Sequence, residues 1–169
     1  MAINTGTLKQ YLEQAKIKYD EHDDTTLVCA FADDHDNRIM VVIRLMENGE
    51  FLQIHTLKHL DDLVAEAEPE PRSDLLKWML NRNYMTKVGA WEYDPDDHDH
   101  RICASHVIED GDLTFKQFMR LLSSVSGSLE LIPEMKKVLG IGDGAIDPVE
   151  QKRQELLAQL RALEDGQGI

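Results

Sequence analysis

The chain has 169 residues, 42% of them hydrophobic, and its 32 acidic against 18 basic side chains give a formal net charge of −14. This length fits one domain with a real hydrophobic core. So acidic a surface repels phosphate groups, which argues against nucleic acid and anionic membranes as partners. It suits solubility and the docking of a basic or amphipathic polypeptide.

A cytoplasmic location is predicted because the sequence has neither a membrane-spanning segment nor a signal segment. No apolar run approaches the roughly 20 residues that span a bilayer, and the polar first residues do not resemble a signal segment. The only cysteines, Cys29 and Cys103, each lie in an apolar strand-like run. Two thiols make no disulfide framework, so we expect a reduced cytoplasmic protein in which both pack as small core residues.

The first part of the chain predicts one helix and three strands. Apolar residues recur at helical spacing in NTGTLKQYLEQAKI, and the short, β-branched TTLVCAFA predicts a strand. The run RIMVVIRLM is apolar on both faces, which predicts a central strand that is covered on both sides. Asn48-Gly49 is a strong hairpin signal, so FLQIHTL is expected to return beside that strand.

The second part predicts a helix, two strands and another helix. DDLVAEAEPEPR is acidic, contains two prolines and predicts a connection, after which SDLLKWMLNRNYM predicts a helix capped by Ser73. KVGAWEYD and HRICASHVI predict a strand pair, and EDGDLTFKQFMRLLSSV a turn followed by a helix. We therefore expect an α+β domain over residues 1–140. It contains a mostly antiparallel five-stranded sheet, in the order helix-βββ-helix-ββ-helix, with the helices packed on one side.

The last segment, 141–169, predicts a hinge and a separate C-terminal amphipathic helix. Asp147-Pro148 is a suitable start, because proline is tolerated at the first helical position. The predicted helix has one narrow apolar stripe, formed by Val149, Leu156, Leu160 and Leu163. Such a short helix is marginal alone, so it must dock on its own domain, on a second subunit or on a partner.

The element order resembles that of the YbjN family of small bacterial proteins, whose fold is similar to that of type III secretion chaperones. The resemblance covers roughly residues 5–140 and rests on NRIMVVIRLMENGEFLQIHT and on RICASHVIEDGDLTFKQFMRLLSSV. It implies a homodimer that holds segments of other proteins without nucleotide or metal. The family supplies no catalytic residues to transfer.

The string DDHD occurs twice, at 33–36 and 96–99, each time between two predicted strands. Asp suits turns because its short side chain accepts hydrogen bonds from nearby backbone N–H groups, so we interpret both copies as solvated hairpin tips. The alternative is a metal site formed by Asp96, His98 and His100, whose two imidazoles would face the same side of an extended strand.

No nucleophile with a base and an orienting third group is recognisable. Cys103 and Ser105 would share one face of a strand while His106 points to the other. His55 is expected to be half-exposed rather than catalytic. We therefore expect a protein that is not an enzyme and has no cofactor.

Large apolar side chains favour a binding function instead. Trp91 and Tyr93 point the same way at i and i+2, and together with Trp78 they line either a groove or a subunit interface, or lie in the core under a helix. The stripe residues Leu156, Leu160 and Leu163 are further candidate contacts. The sequence thus predicts a homodimeric, chaperone-like or regulatory adaptor that binds a protein or peptide client. The alternative is a small metal-binding or sensory domain that uses the Asp/His loop at 94–100.

Overall fold

The computed structural model describes residues 3–35, 37–57, 59–60 and 62–141. Its elements, in chain order, are α1 (Thr5–Gln14), β1 (Asp20–Asp23), β2 (Thr26–Ala32), β3 (Arg38–Met46), β4 (Phe51–Thr56), α2 (Leu63–Glu66), α3 (Pro69–Met85), β5 (Ala90–Tyr93), β6 (His100–Val107), α4 (Phe115–Ser126) and α5 (Ile132–Val138). Short 3-10 turns cover Glu47–Gly49 and Gly127–Leu131. The α+β prediction is confirmed.

The sheet has six strands in the order β1-β2-β3-β4-β6-β5, and every neighbouring pair is antiparallel. The predicted number of five is wrong by one, because β2 to β6 match the five predicted strands and β1 was missed. All four side chains of β1, in the sequence DEHD, are exposed. A strand that buries no side chain has no alternation of apolar and polar residues by which to recognise it.

All described helices pack on one face of this sheet. One buried cluster joins inward-facing strand residues such as Ile43 and Ile54 to Leu8 of α1, Phe118 of α4 and Met135 of α5. Val42 and Cys103 are buried as well but lie outside that cluster. The sheet therefore has a core face and a second, open face, over which no described helix packs.

β3 departs from its prediction for the same reason. Its core-face residues Ile39, Val41, Ile43 and Leu45 are buried, whereas Met40 on the open face is 39% exposed and Arg44 is also exposed. No described helix covers its other side, although Val42 on that side is buried. The apolar side chains Met40, Val42 and Met46 belong to the open face of the sheet.

α3 begins earlier than predicted, at Pro69 rather than after Ser73. Proline lacks only an N–H that the first helical turn does not need, so the prolines at 69 and 71 begin the helix rather than interrupt it. The predicted connection also contains the short helix α2.

Both DDHD copies lie at hairpin tips, as predicted. The Oδ1 atom of Asp33 accepts hydrogen bonds from the backbone N–H groups of His35 and Asn37, and Asp94 and Asp97 do the same for Asp96 and Asp99. Because all strand pairs are antiparallel, the β2–β3 and β5–β6 tips lie at the same end of the sheet. The hinge and the C-terminal helix predicted for 141–169 fall, apart from Ile141, outside the described residues, and so do Leu156, Leu160 and Leu163.

Candidate protein-binding site

Trp91 lies in the core under a helix. It is 6% exposed, its ring contacts the edge of Trp78 of α3 with 5.5 Å between ring centroids, and His59 lies 4.7 Å from it by the same measure. The sequence left open whether Trp91 lies at a binding surface or in the core, and in the structure it lies in the core. A client could reach Trp91 only if α3 moved.

Trp78 of α3 is half-buried and faces α5. Its Nε1–H donates to Glu134 Oε1 at 2.9 Å, the Arg82 guanidinium lies 5.0 Å over its ring, and Arg82 pairs with Glu134. These contacts join α3 to α5 through the indole. Trp78 therefore has a structural role in the described fold, and its binding role stays a prediction.

Tyr93 lies on the same face of β5 as Trp91 and is half-buried, but it participates in a different network. Its hydroxyl lies 2.6 Å from Nδ1 of His98, whose Nε2 lies 3.1 Å from Nη1 of Arg72. Arg72 also donates to the carbonyl oxygens of Val64, Ala65 and Ala67. Because a guanidinium only donates, His98 Nε2 must accept, so Nδ1–H donates to the tyrosine oxygen. No sequence pattern predicts this role of Arg72, because its partners are three backbone carbonyls and a histidine distant in the chain.

The metal alternative does not fit this geometry. Both ring nitrogens of His98 have protein partners, and its backbone φ of 60° takes it out of the extended conformation that the hypothesis required. His100 is fully buried, and its Nε2 accepts from the Leu60 N–H at 3.1 Å. Within the described ranges, no three His, Cys, Asp or Glu side chains are grouped so that they could hold a metal ion. Asp96, His98 and His100 therefore do not form a site together.

Ser128 and His59 are as close to each other as the serine and histidine of a catalytic dyad, but their surroundings differ from those of a dyad. Ser128 Oγ lies 2.7 Å from His59 Nε2, but both side chains are buried and the hydroxyl donates to the Val125 carbonyl at 2.6 Å. The other imidazole nitrogen meets the Thr56 hydroxyl at 3.4 Å rather than a carboxylate. Burial lowers the pKa of His59 to about 3, with a smaller contribution from His100. The pair is thus a neutral structural network, which sequence reasoning missed because its members are far apart in the chain.

His55 also differs from its prediction, because it is 7% exposed rather than half-exposed. It lies in the middle of the open face, paired with Val42 on one side and with Cys103 on the other. Burial lowers the pKa of His55, and Arg101 and Arg44 nearby lower it further, against a backbone hydrogen bond with Thr56 that raises it.

Strand register arranges the open face in rows across β2, β3, β4 and β6. A central row contains Val28, Val42, His55 and Cys103, and the next row toward the β3–β4 turn contains Thr26, Arg44, Gln53 and Ser105. A last row, at the end near that turn, contains Met46, Phe51 and Val107.

Toward the opposite end of the sheet, the next row contains Ala30, Met40, Leu57 and Arg101, and the pair Ala32 and Arg38 lies beyond it. Leu57 follows β4 and donates its N–H to the Met40 carbonyl at 2.9 Å, which places it opposite Met40. The open face therefore has mixed apolar and polar side chains. Thr26, Val42, His55 and Cys103 are buried on it, whereas Met40, Arg44, Leu57 and Val107 are exposed.

Two features characterise the open face. Met40, Leu57 and Val107 are 39%, 49% and 58% exposed, so half of the large exposed hydrophobic side chains of the described chain lie here. The charged residues on its four central strands are arginines, at positions 38, 44 and 101. Acidic residues occur only on the edge strands, such as Glu92, which pairs with Arg101 at 2.7 Å. The four central strands of this face therefore have only basic charged residues, whereas the whole chain has a net charge of −14.

A concavity lies at the edge of the sheet beside the second DDHD tip. It encloses about 410 Å³ and is lined by Glu92, Tyr93, Asp94, Pro95, Asp99 and Arg101. The site is polar and already contains the Arg101–Glu92 ion pair. Among the described helices, none combines the length with the hydrophobicity that a membrane-spanning segment requires.

Comparison with known proteins gives structural likenesses only. No protein-family model matches the chain, and no curated protein matches its sequence. A crystal structure of the ExsC-ExsE complex is similar with a TM-score of 0.49 and 14% identity, over 78% of this chain and 93% of the matched chain. A structure of the HopA1-SchA chaperone-effector complex is similar with a TM-score of 0.46 and 16% identity, over 77% and 90%. Likenesses at this level do not assign a function to this chain.

Proposed function

We propose that this chain is a non-enzymatic protein-binding module and that the open face of its sheet is the surface that binds the partner. The observation that carries the proposal is the one-sided packing of the sheet. Exposed apolar area of this kind on an otherwise charged surface is typical of protein interaction sites. Met40, Leu57 and Val107 supply that area.

The charge of the open face defines the chemistry of the partner. Arg44 lies between apolar rows, and no carboxylate lies on the four central strands. Arginine on a flat surface favours carboxylates, with which it forms two parallel hydrogen bonds. The partner segment is therefore acidic and partly apolar, the opposite of the basic segment that the net charge of the chain suggested.

The cellular role follows from the resemblance to the YbjN family. Under this proposal the protein is a cytoplasmic, homodimeric, chaperone-like or regulatory adaptor. A dimer formed by two open faces would bring arginines of the two copies together, which is unfavourable. The dimer contact therefore lies on another surface. Sedimentation equilibrium tests dimerisation, with an expected mass of twice the 19.3 kDa of one chain.

The binding surface is tested by comparing two charge reversals. Arg44→Glu changes the open face, whereas Arg120→Glu makes the same change on the exposed side of α4, on the opposite side of the molecule. Both variants have the same net charge. A protein that is recovered from the host lysate by the wild type and by Arg120→Glu, and lost with Arg44→Glu, supports the proposal. Equal capture by all three chains would refute it.

A further inference from the structure

His55 lies at the centre of the open face, diagonally between two arginines. Its neighbours across the sheet are Val42 of β3 and Cys103 of β6. Arg44 follows Val42 by two residues, so its side chain emerges on the same face, toward the β3–β4 turn. Arg101 precedes Cys103 by two residues and emerges on this face toward the opposite end of the sheet. Diagonal neighbours of this kind are roughly 7–8 Å apart, within reach of long side chains.

One ring nitrogen of His55 has a protein partner and the other has none. Nδ1 lies 2.9 Å from the Thr56 carbonyl oxygen, which only accepts, so Nδ1 carries a proton and donates the hydrogen bond. No residue of the described ranges forms a hydrogen bond with Nε2. His55 is only 7% exposed, but the one fully enclosed side-chain polar atom without a partner in those ranges is Thr26 Oγ1. Nε2 therefore keeps contact with solvent on the open face, and it is an acceptor when the imidazole is neutral.

The charges around His55 favour an anion at Nε2. Arg44 is exposed and forms no ion pair with a described residue. Arg101, by contrast, pairs with Glu92 of β5 at 2.7 Å. Burial raises the pKa of the neighbouring Cys103 thiol, which therefore adds no charge at neutral pH. Burial lowers the pKa of His55, and the two arginines lower it further, so the imidazole of the free protein is neutral at pH 7.

We propose that an aspartate or glutamate side chain of the partner binds between Arg44 and Nε2 of His55, and that His55 takes up a proton from solvent when the partner binds. This inference rests on the proposed function, in which the open face binds an acidic segment. A carboxylate only accepts hydrogen bonds, so a neutral Nε2 would meet it acceptor to acceptor, whereas the imidazolium donates to it. The resulting hydrogen bond joins two opposite charges and is of the strong class.

Proton uptake makes binding depend on pH. The affinity is highest below the pKa of the free imidazole and falls as the pH rises toward the higher pKa of the bound imidazole. Between these two values the dissociation constant changes by up to about tenfold per pH unit, because one proton is gained on binding. The carboxylates of the partner stay ionised above about pH 5.5, so they do not contribute in this range.

An NMR titration with a defined peptide tests this proposal. The probe is acetyl-LSESLSESL-amide, whose leucines and glutamates share one side of an extended chain, and the reference peptide has glutamine in place of both glutamates. Both are added to the full chain between pH 8 and 5.5. The glutamate peptide should move the titration midpoint of the His55 imidazole to higher pH, and it should bind at least about threefold more tightly at pH 6 than at pH 7. The glutamine peptide should do neither.

Matched variants assign the effect to one imidazole. His55→Gln keeps a donor for the Thr56 carbonyl but does not titrate, so its affinity for the glutamate peptide should be independent of pH. His106→Gln removes a histidine from the other face of β6, opposite Leu52, and should keep the pH dependence of the wild type. Arg44→Glu should abolish binding at every pH.

The outcomes separate this inference from the proposed function. Peptide binding that is lost in Arg44→Glu but has the same affinity at every pH would overturn proton uptake by His55 and leave the proposed surface in place. A pH dependence that persists in His55→Gln would overturn it as well. A glutamate peptide that shifts no signal of Met40 or Val107 at any pH would contradict the proposed surface itself, and the inference with it.

Discussion

Asn83 of α3 closes the outer edge of β5 through both backbone groups of Trp91. The Trp91 N–H donates to Asn83 Oδ1 at 2.6 Å, and Asn83 Nδ2 donates to the Trp91 carbonyl at 3.0 Å. One side-chain amide thus takes the place of a neighbouring strand at the edge of the sheet. An edge strand with unpaired groups is a template for unwanted pairing, so this contact both anchors α3 and blocks the edge.

Asn83→Ala should therefore destabilise the fold. It leaves the N–H and carbonyl of a buried residue without partners, at a cost of about 2 kcal/mol for two hydrogen bonds. Urea unfolding measures the change. Asn81→Ala is the matched control, because Asn81 is exposed on the same helix. Equal stability of the two variants would contradict the edge-closing role.

Arg72 should hold the connection after β4 in place. Arg72→Met removes hydrogen bonds to three carbonyls and to His98, and we expect a loss of about 2 kcal/mol in the free energy of unfolding. Amide exchange should accelerate most in 62–67 and 94–99, which the guanidinium joins. Arg120→Met, at an exposed position on α4, is the control. Exchange that rises equally everywhere would argue against a local role.

Stability should fall with acidification before the carboxylates titrate. Burial lowers the pKa of His59 from its ordinary value of 6.5 to about 3, so between these values the unfolded chain binds a proton that the folded chain does not. The stabilisation is complete above pH 6.5 and declines below it, by roughly 2 kcal/mol at pH 5. The lowered pKa of His55 adds to the same trend.

His59→Gln tests this assignment, because an amide keeps a hydrogen bond to Ser128 but does not titrate. Urea unfolding between pH 7.5 and 5 should show a flatter pH dependence for the variant than for the wild type. An unchanged slope would mean that other groups cause the acid sensitivity.

Divalent metals should not bind at the second DDHD tip. His98 has protein partners on both nitrogens, and His100 is buried. Calorimetry with zinc, manganese and calcium is expected to show no binding below millimolar concentration. Tight zinc binding that disappears in His98→Ala would contradict this prediction and support a metal site at the second DDHD tip.

Deleting residues 145–169 should leave a folded domain, because the described residues already form one buried core cluster that extends from Ile3 to Leu139. We expect a cooperative thermal transition for the shortened chain. Loss of the cooperative transition would show that the removed segment is part of the core.

The sequence alone determined most of the fold, because its signals are local. Helix α4, the Asn48-Gly49 hairpin and the aspartate-rich tips all follow from spacing and turn chemistry within a few residues. β1 was missed because its pairing with β2 leaves every side chain in water, so the sequence has no pattern there.

Only the tertiary structure decided what each side chain does. Trp91 is a core residue because α3 covers β5. The Nε2 atom of His98 has Arg72, 26 positions earlier in the chain, as its hydrogen-bond partner, so it is not available to a metal ion. The arginines of the open face come from β3 and β6, and the strand register brings them to one side of the sheet. Such relationships depend on contacts between residues far apart in the chain, and periodicity carries no information about them.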